Sequence, residues 1–300
     1  MTQAPFRFGL EGRARPMDWL KSLPLYLLPQ HAISRTTHRF TRIENPRIRI
    51  PFTNWFIRRF GVAMDEALEP DPGAYTHFNA FFTRALRPGA RPLPSDPQTL
   101  CCPADGAISA FGRLAGDRVL QAKGHDYSLS ALLGGDPARA RPFRDGCFMT
   151  VYLSPRDYHR VHMPADGRLL ETVHVPGRLF SVGRHTVRTI PRLFARNERL
   201  VCLFETVFGP MAVVLVGAIN VGSIETVWAG EVTPPAASRV TVRSFEREAP
   251  RLLRGQEMGR FNMGSTVILI LPPGIARLNE GLEVDQQVRV GQAIGYQGME

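Results

Sequence analysis

Lysine is nearly absent from this 300-residue chain. Lys21 and Lys123 are the only two, so arginine carries almost all of the positive charge. That scarcity excludes a swinging-arm carrier, which needs a lysine at a hairpin tip between small or methionine residues; neither lysine has that setting. Cysteine is scarce as well. Cys101, Cys102, Cys147 and Cys202 show neither C-x-x-C spacing nor a nearby Cys/His cluster, which speaks against zinc and for buried, reduced thiols. Long apolar runs are missing: the stretches around Met211–Ile219 and Val267–Leu271 are too short to cross a bilayer and are rich in strand formers. The N-terminal MTQAPFRFGLEGRARPMDWL has no apolar h-region, so no secretory signal is expected. The nucleophile-elbow pattern G-x-S-x-G is also missing, which removes the usual hydrolase signature.

Apolar residues make up 44% of the chain and charged residues 21%, a globular balance. The formal net charge of +10 asks for an anionic partner, and nucleic acid and an anionic membrane surface both qualify. Arginine grips phosphate in a bidentate fashion, so a phosphate-bearing ligand suits this composition.

The first eighty or so residues read as two or three short amphipathic helices. MDWLKSLPLYLLPQ carries Trp19, Leu20, Leu23, Leu25, Tyr26, Leu27 and Leu28. HAISRTTHRFTRI sets Ile33, Thr37, Phe40 and Ile43 at helical spacing, with Arg35, Arg39 and Arg42 on the polar side. FTNWFIRRFGVAMDEAL adds Trp55, Phe56, Phe60 and Leu68 beside Arg58 and Arg59. Such helices either cap a core or lie in a membrane surface, and their pattern alone leaves both readings open.

From about Pro92 the texture becomes β: short apolar stretches alternate with Gly, Pro and Asp turns. CCPADGAISAFG and HMPADGRLLETV share a Pro-Ala-Asp-Gly turn that feeds a strand, with glycine expected at a positive φ. The closing VRVGQAIG has the strand–turn–strand look of lipoyl-type sandwiches. The fold class is therefore α+β. N-terminal amphipathic helices (residues 1–75) precede a β-rich sandwich or barrel-like domain with lipoyl-like hairpins (residues 76–300). Within it, SPRDYHRVHMP reads as one capped helical turn, with Ser154 and Asp157 as a capping box and Pro155 at the first helical position.

On that turn His159 and His162 would share a face. An H-x-x-H pair can ligate metal, but no third ligand is signposted, so no metal is expected. Asp105 and Asp166, one in each PADG turn, are candidate acids, and either could instead close an Asx-turn. Gly264-Ser265 stands at the mouth of the β-branched run Thr266–Ile270, bounded downstream by Pro272, Pro273 and Gly274. As residue types alone, an Asp–His–Ser set is weak, and Gly264-Ser265 could be a simple bulge.

FNAFFTRALRPGARPL, CPADGAIS, QAKGHDYSL, YLSPRDYHRVHMPADG, FARNERLVCLFET, VGSIETVWAG and GRFNMGSTVILI run in this order from about residue 75 to the end. Together they resemble the bacterial-type phosphatidylserine decarboxylases, a pyruvoyl-dependent family. Met263 departs from the leucine more usual there, a conservative change. The N-terminal helices are similar only in character.

The resemblance implies that the Gly264–Ser265 bond breaks itself, giving a β chain of 1–264 and an α chain of 265–300 that remain a heterodimer within a higher oligomer. Ser265 would become the covalent pyruvoyl (pyruvate) cofactor and form the Schiff base with phosphatidylserine. Decarboxylation would then yield phosphatidylethanolamine and CO2. It further implies that His162 and Asp105 serve the self-cleavage; His159 is then the candidate for decarboxylation and return of the proton. A lipid substrate turns the helices and arginines toward a peripheral anchor on the cytoplasmic side of the cell membrane, with no nucleic-acid partner. The rival reading is a non-enzymatic basic lipid-binding protein, which explains the charge but not the joint occurrence of these motifs.

Overall fold

The computed structural model describes residues 14–122, 125–219, 223–233, 238–246 and 248–298. Residues 1–13 and Lys123 lie outside the described residues. Four helices occupy the N-terminal region: α1 (Pro16–Ser22), α2 (Gln30–Phe40), α3 (Pro46–Phe60) and α4 (Phe78–Phe82), with a 3-10 turn at Leu23–Tyr26. Their ends follow local chemistry. The Asn45 side chain caps α3 by accepting from the Arg47 N–H at 3.0 Å, and Gly61 closes it in the left-handed region at φ 66°. His77 caps α4 through Nδ1, which accepts from the Ala80 N–H at 2.9 Å.

These helices are fastened to the rest of the chain. From α1, Asp18 meets Arg188 at 3.2 Å. Gln30, at the start of α2, accepts from the Leu179 N–H at 2.8 Å. Phe56, Val62, Phe78, Phe81 and Phe82 form a second apolar core beneath α3 and α4, and Met263 packs against it.

The principal sheet has nine strands, all antiparallel. Its order is Thr241–Ser244, Gly167–Val175, Arg199–Thr206, Gly209–Val216, Thr266–Leu271, Cys147–Tyr152, Gly106–Arg113 and Gln287–Val288, with Arg251–Leu252 also pairing to Gly167–Val175. The sheet does not close into a barrel. Thr266–Leu271 lies inside it, Thr266 standing opposite both Tyr152 and Val216. Every residue of that strand is buried, so its sequence is a continuous apolar run rather than an alternation. Both PADG turns feed strands of this sheet. At the first, Gly106 is required by close approach rather than by a turn conformation: a Cβ there would lie 2.2 Å from the Tyr152 carbonyl oxygen. Gly106 has a positive φ, 158°, close to extended backbone, whereas Gly167 does not have the expected positive φ.

Two local expectations give way to long-range pairing. SPRDYHRVHMP is not helical. Ser154 and Asp157 make one turn, with the Ser154 N–H and hydroxyl donating to the Asp157 carboxylate at 2.6 and 2.7 Å. The chain then extends, and Arg160–His162 joins Glu257–Phe261 in a four-stranded sheet. In VRVGQAIG the strands do not pair with each other: Gln287–Val288 joins Gly106–Ala107, whereas Ala293–Gln297 lies between Thr99–Cys101 and Ala276–Leu278.

Candidate active site

Ser265 is fully buried at the mouth of the central strand, and its hydroxyl has no hydrogen-bond partner. Its carbonyl is fixed by the Leu153 N–H at 2.9 Å, so the backbone is held while the hydroxyl is left free. A buried, unpaired hydroxyl is costly and calls for a reason. The neighbouring backbone supplies one. Met263 takes φ 120°, a sparsely populated conformation for a residue with a side chain, costing about 1–3 kcal/mol. Neighbours hold it there: Asn262 accepts from Asn79 Nδ2 at 2.9 Å, and its own amide donates to the Ser223 carbonyl at 2.9 Å. The strain therefore falls on Met263 and not on Gly264. Gly264 is needed for proximity, since a Cβ on it would stand 3.0 Å from His159 Nε2 and 3.3 Å from the Leu153 carbonyl.

His159 is thus the histidine against the Gly264–Ser265 pair. It is wholly buried, and neither ring nitrogen has a hydrogen-bond partner. Burial, reinforced by the nearby Arg84 cation, pushes its imidazole down to about 3, so the ring is neutral at physiological pH. A neutral ring keeps a lone pair with which to accept a proton.

His162 points elsewhere, as the extended backbone requires of residues three apart. Its Nδ1 lies 2.8 Å from the Gly255 carbonyl, which only accepts, so Nδ1 carries the proton. Nε2 then accepts from the Tyr158 hydroxyl at 3.0 Å. Burial lowers its basicity too. The backbone N–H of His162 donates to the Pro103 carbonyl at 2.8 Å, which sets it beside the first PADG turn.

Asp105 is in that turn but is not hydrogen-bonded to His162. Arg91 Nε reaches its two carboxylate oxygens at 3.0 and 3.1 Å, and the Val290 N–H donates to it at 2.8 Å. Arg91 also holds Glu66 at 2.8 Å. Asp105 therefore ties the segment after α4 to the C-terminal loop. Asp166, the other candidate acid, accepts from the Arg254 N–H at 2.7 Å in an exposed turn.

Several residues near this site carried no signal by residue type. Phe82 lies against the His159 ring, Tyr158 holds His162, and Arg84 is buried close by. Arg91 stands in the motif FNAFFTRALRPGARPL, where residue type alone gives it no partner. A cavity of about 250 Å³ opens along the same strand end, with Tyr152, Ser154, Arg156, Asp157, Val182 and Arg184 among its lining. Among the described residues, no three His, Cys, Asp or Glu side chains converge as a metal site would require.

Comparison with known proteins gives this geometry a context. A family profile described as "Phosphatidylserine decarboxylase" matches residues 78–296, and a second, described as "PSD", matches residues 20–61. A phosphatidylserine decarboxylase proenzyme of Alkalilimnicola ehrlichii is 60% identical over 261 residues, covering 87% of this chain and 91% of the relative. The proenzyme of Marinobacter nauticus is 51% identical over 280 residues, covering 93% and 98%. That of Xanthomonas euvesicatoria is 53% identical over 269 residues, covering 90% and 96%. With a buried serine at a strained strand mouth, and relatives this similar along nearly their whole length, the chain belongs to the phosphatidylserine decarboxylase family.

Proposed function

We propose that this chain is a proenzyme that cuts its own Gly264–Ser265 bond and then decarboxylates phosphatidylserine to phosphatidylethanolamine at a pyruvoyl group made from Ser265. The observation that carries this reading is the free, buried Ser265 hydroxyl beside a strained Met263 and an unpartnered His159. A serine held by its carbonyl, with nothing bonded to its hydroxyl, fits a residue awaiting conversion.

The chemistry follows from those atoms. The Ser265 hydroxyl attacks the Gly264 carbonyl carbon, passing its proton to a base, and the peptide rearranges to an ester. His159 is the best-supported base, because its neutral ring abuts Gly264 with Nε2 facing it. Loss of the Ser265 α-proton then breaks the Cβ–Oγ bond, whose electron pair leaves with Gly264 as a carboxylate. The resulting dehydroalanine takes up water and loses ammonia.

The pyruvoyl group, once formed, supplies a carbonyl that takes the substrate amine and draws off the electron pair as CO2 departs. Phe82 and the surrounding apolar residues keep water from that position. His159 stays at hand to return a proton to the substrate carbon. His162, oriented by Tyr158 and Gly255 beside the Asp105 turn, positions the segment that carries His159. Arg156 and Arg184 line the adjoining cavity, Arg184 paired with Asp285 at 2.8 Å and Arg156 more loosely with Asp157 at 3.8 Å, and an anionic headgroup would compete for them.

Delivery of a lipid substrate suits the N-terminal surface. Met17, Trp19, Leu20, Leu23 and Leu27 are exposed, Leu27 by 89%, and Arg35, Arg39, Arg58 and Arg59 are exposed on α2 and α3. No helix among the described residues is long and apolar enough to cross a membrane. The reading is a peripheral enzyme on the cytoplasmic face of the cell membrane, α1 and the following turn dipping into the acyl boundary and arginines meeting anionic headgroups.

Denaturing electrophoresis with mass spectrometry tests the proposal. The wild-type chain should run as two pieces parted at Gly264–Ser265, and Ser265→Ala should keep its full mass and release no CO2. A cleaved and active Ser265→Ala protein would overturn it.

A further inference from the structure

Arg84 follows α4 directly and is 4% exposed. A guanidinium so deeply buried normally has a carboxylate within reach. Arg84 has none within ion-pair distance among the described residues. Its Nε has no hydrogen-bond partner, and the bond recorded for the head group is a long one, Nη2 to the Arg156 carbonyl at 3.4 Å. The ring of Phe81 lies under it, the guanidinium carbon 5.6 Å from the centroid. Burial weakens its hold on the proton, as an uncompensated cation requires.

Its neighbourhood is the scissile bond. Phe82, two residues earlier, lies on His159, and Arg84 acts electrostatically on the same ring. His159 in turn abuts Gly264. The unpaired cation and the bond to be broken are therefore linked through the buried His159 ring. Asp105 and Asp157 act on the guanidinium only from beyond ion-pair distance, and the cleavage just described makes a carboxylate nearby.

We propose that Arg84 is the counter-ion of the carboxylate released at Gly264: unpaired in the precursor, it draws the leaving carboxylate out of the ester and then holds the new C-terminus of the β chain. This rests on the self-cleavage reading above. The balance is complete. As the Ser265 α-proton goes to a base, the Cβ–Oγ electron pair becomes the negative charge on the Gly264 carboxylate, and Arg84 meets that charge as it develops. The other carboxylate that could enter the pocket is the substrate's own. A cation fixed on that group would stabilise the bound substrate more than the transition state, in which the charge is leaving, and would work against decarboxylation.

Pulse–chase synthesis of wild type, Arg84→Met and Arg84→Lys separates these cases, with samples treated by neutral hydroxylamine before denaturing electrophoresis. Hydroxylamine opens the ester, giving a Gly264 hydroxamate and an α chain that begins with unmodified serine. Arg84→Met should accumulate that ester and form the pyruvoyl-capped α chain about ten- to a hundredfold more slowly, and Arg84→Lys should restore part of the rate. In the uncleavable Ser265→Ala precursor, Arg84→Met should leave the thermal midpoint unchanged or raise it, because there the cation has no partner to lose. Wild-type maturation of Arg84→Met without trapped ester overturns the proposal, and a raised KM for phosphatidylserine in that variant would assign the cation to the substrate carboxylate. A lowered midpoint in the Ser265→Ala background also overturns it, since the guanidinium would then be satisfied before the cut. If the wild-type chain itself stays whole, the failure lies with self-cleavage and not with Arg84.

Discussion

The ring of Phe82 lies on the ring of His159, their centroids 4.0 Å apart and their planes tilted by 36°. This contact joins the aromatic core beneath α3 and α4 to the Gly264–Ser265 mouth, and Met263 packs against the same core. Phe82→Ala should cost about 3–5 kcal/mol in the Ser265→Ala precursor, measured by chemical denaturation. In the otherwise wild-type chain it should slow cleavage, because water would reach the imidazole. Phe82→Leu, which keeps most of the volume, should do less of both. An unchanged cleavage rate in Phe82→Ala would show that this ring contact is incidental.

The buried imidazole also makes stability depend on pH. In the unfolded chain a histidine takes a proton near pH 6.5, whereas in the fold His159 resists it down to about 3. The unfolded state therefore binds protons first as pH falls. The contribution is fully present above about pH 6.5 and is lost toward pH 3, by about 1.4 kcal/mol per pH unit. His162, lowered by burial as well, adds in the same direction. Thermal midpoints of Ser265→Ala between pH 8 and 4.5 should fall on the acid side, and adding His159→Gln should flatten that slope. An equal slope with and without His159 would remove it as the source.

Measuring cleavage and turnover separately distinguishes the two histidines. His159→Ala should remain largely uncleaved, because general-base help is worth about 10²- to 10⁴-fold. His162→Ala should cleave more slowly than wild type but still mature, and Tyr158→Phe should mimic it in milder form. The reverse pattern, with His159→Ala cleaving normally and His162→Ala intact, would return the base to His162 and Asp105.

Parts of this arrangement were legible in the chain and parts were not, for physical reasons. The run Thr266–Ile270 announces a buried strand, and the PADG turns announce strand starts, because β-branched density and turn chemistry are local properties. Ser154, Pro155 and Asp157 look like a helix start for the same reason, and they do make a turn. The Glu257–Phe261 strand then captures Arg160–His162, and no local signal reports a partner so distant. The pairing of His162 with Asp105 is what the family resemblance implies; the side-chain hydrogen bonds of the structure join Asp105 to Arg91, and His162 to Tyr158 and Gly255. Phe82 and Arg84 sat unnoticed in FNAFFTRALR because their importance comes from what lies across the interface.

For the membrane surface, point substitution is a cleaner probe than truncation. Deleting residues 1–45 would also remove the Asp18–Arg188 pair and the Gln30 contact to Leu179, and so disturb the body of the protein. Leu20→Ser, Leu23→Ser and Leu27→Ser together change exposed side chains. Flotation with anionic vesicles should fall in the triple variant, and wild-type binding should weaken as salt rises. Unchanged flotation would leave these leucines without a role at the lipid surface.

The place of the Thr266–Leu271 strand has a consequence for the order of events in the life of the molecule. A cut at Gly264–Ser265 frees one end of a strand whose two neighbours, Cys147–Tyr152 and Gly209–Val216, both belong to the other piece. The smaller piece then sits like a thread pulled through finished cloth. Synthesised apart, the two pieces would face a closed sheet and an isolated, fully apolar strand prone to self-association. On the proposed self-cleavage, the fold must be complete before the bond breaks, and maturation would run in one direction: a matured molecule that unfolds would have lost the covalent link that first brought the strand to its place.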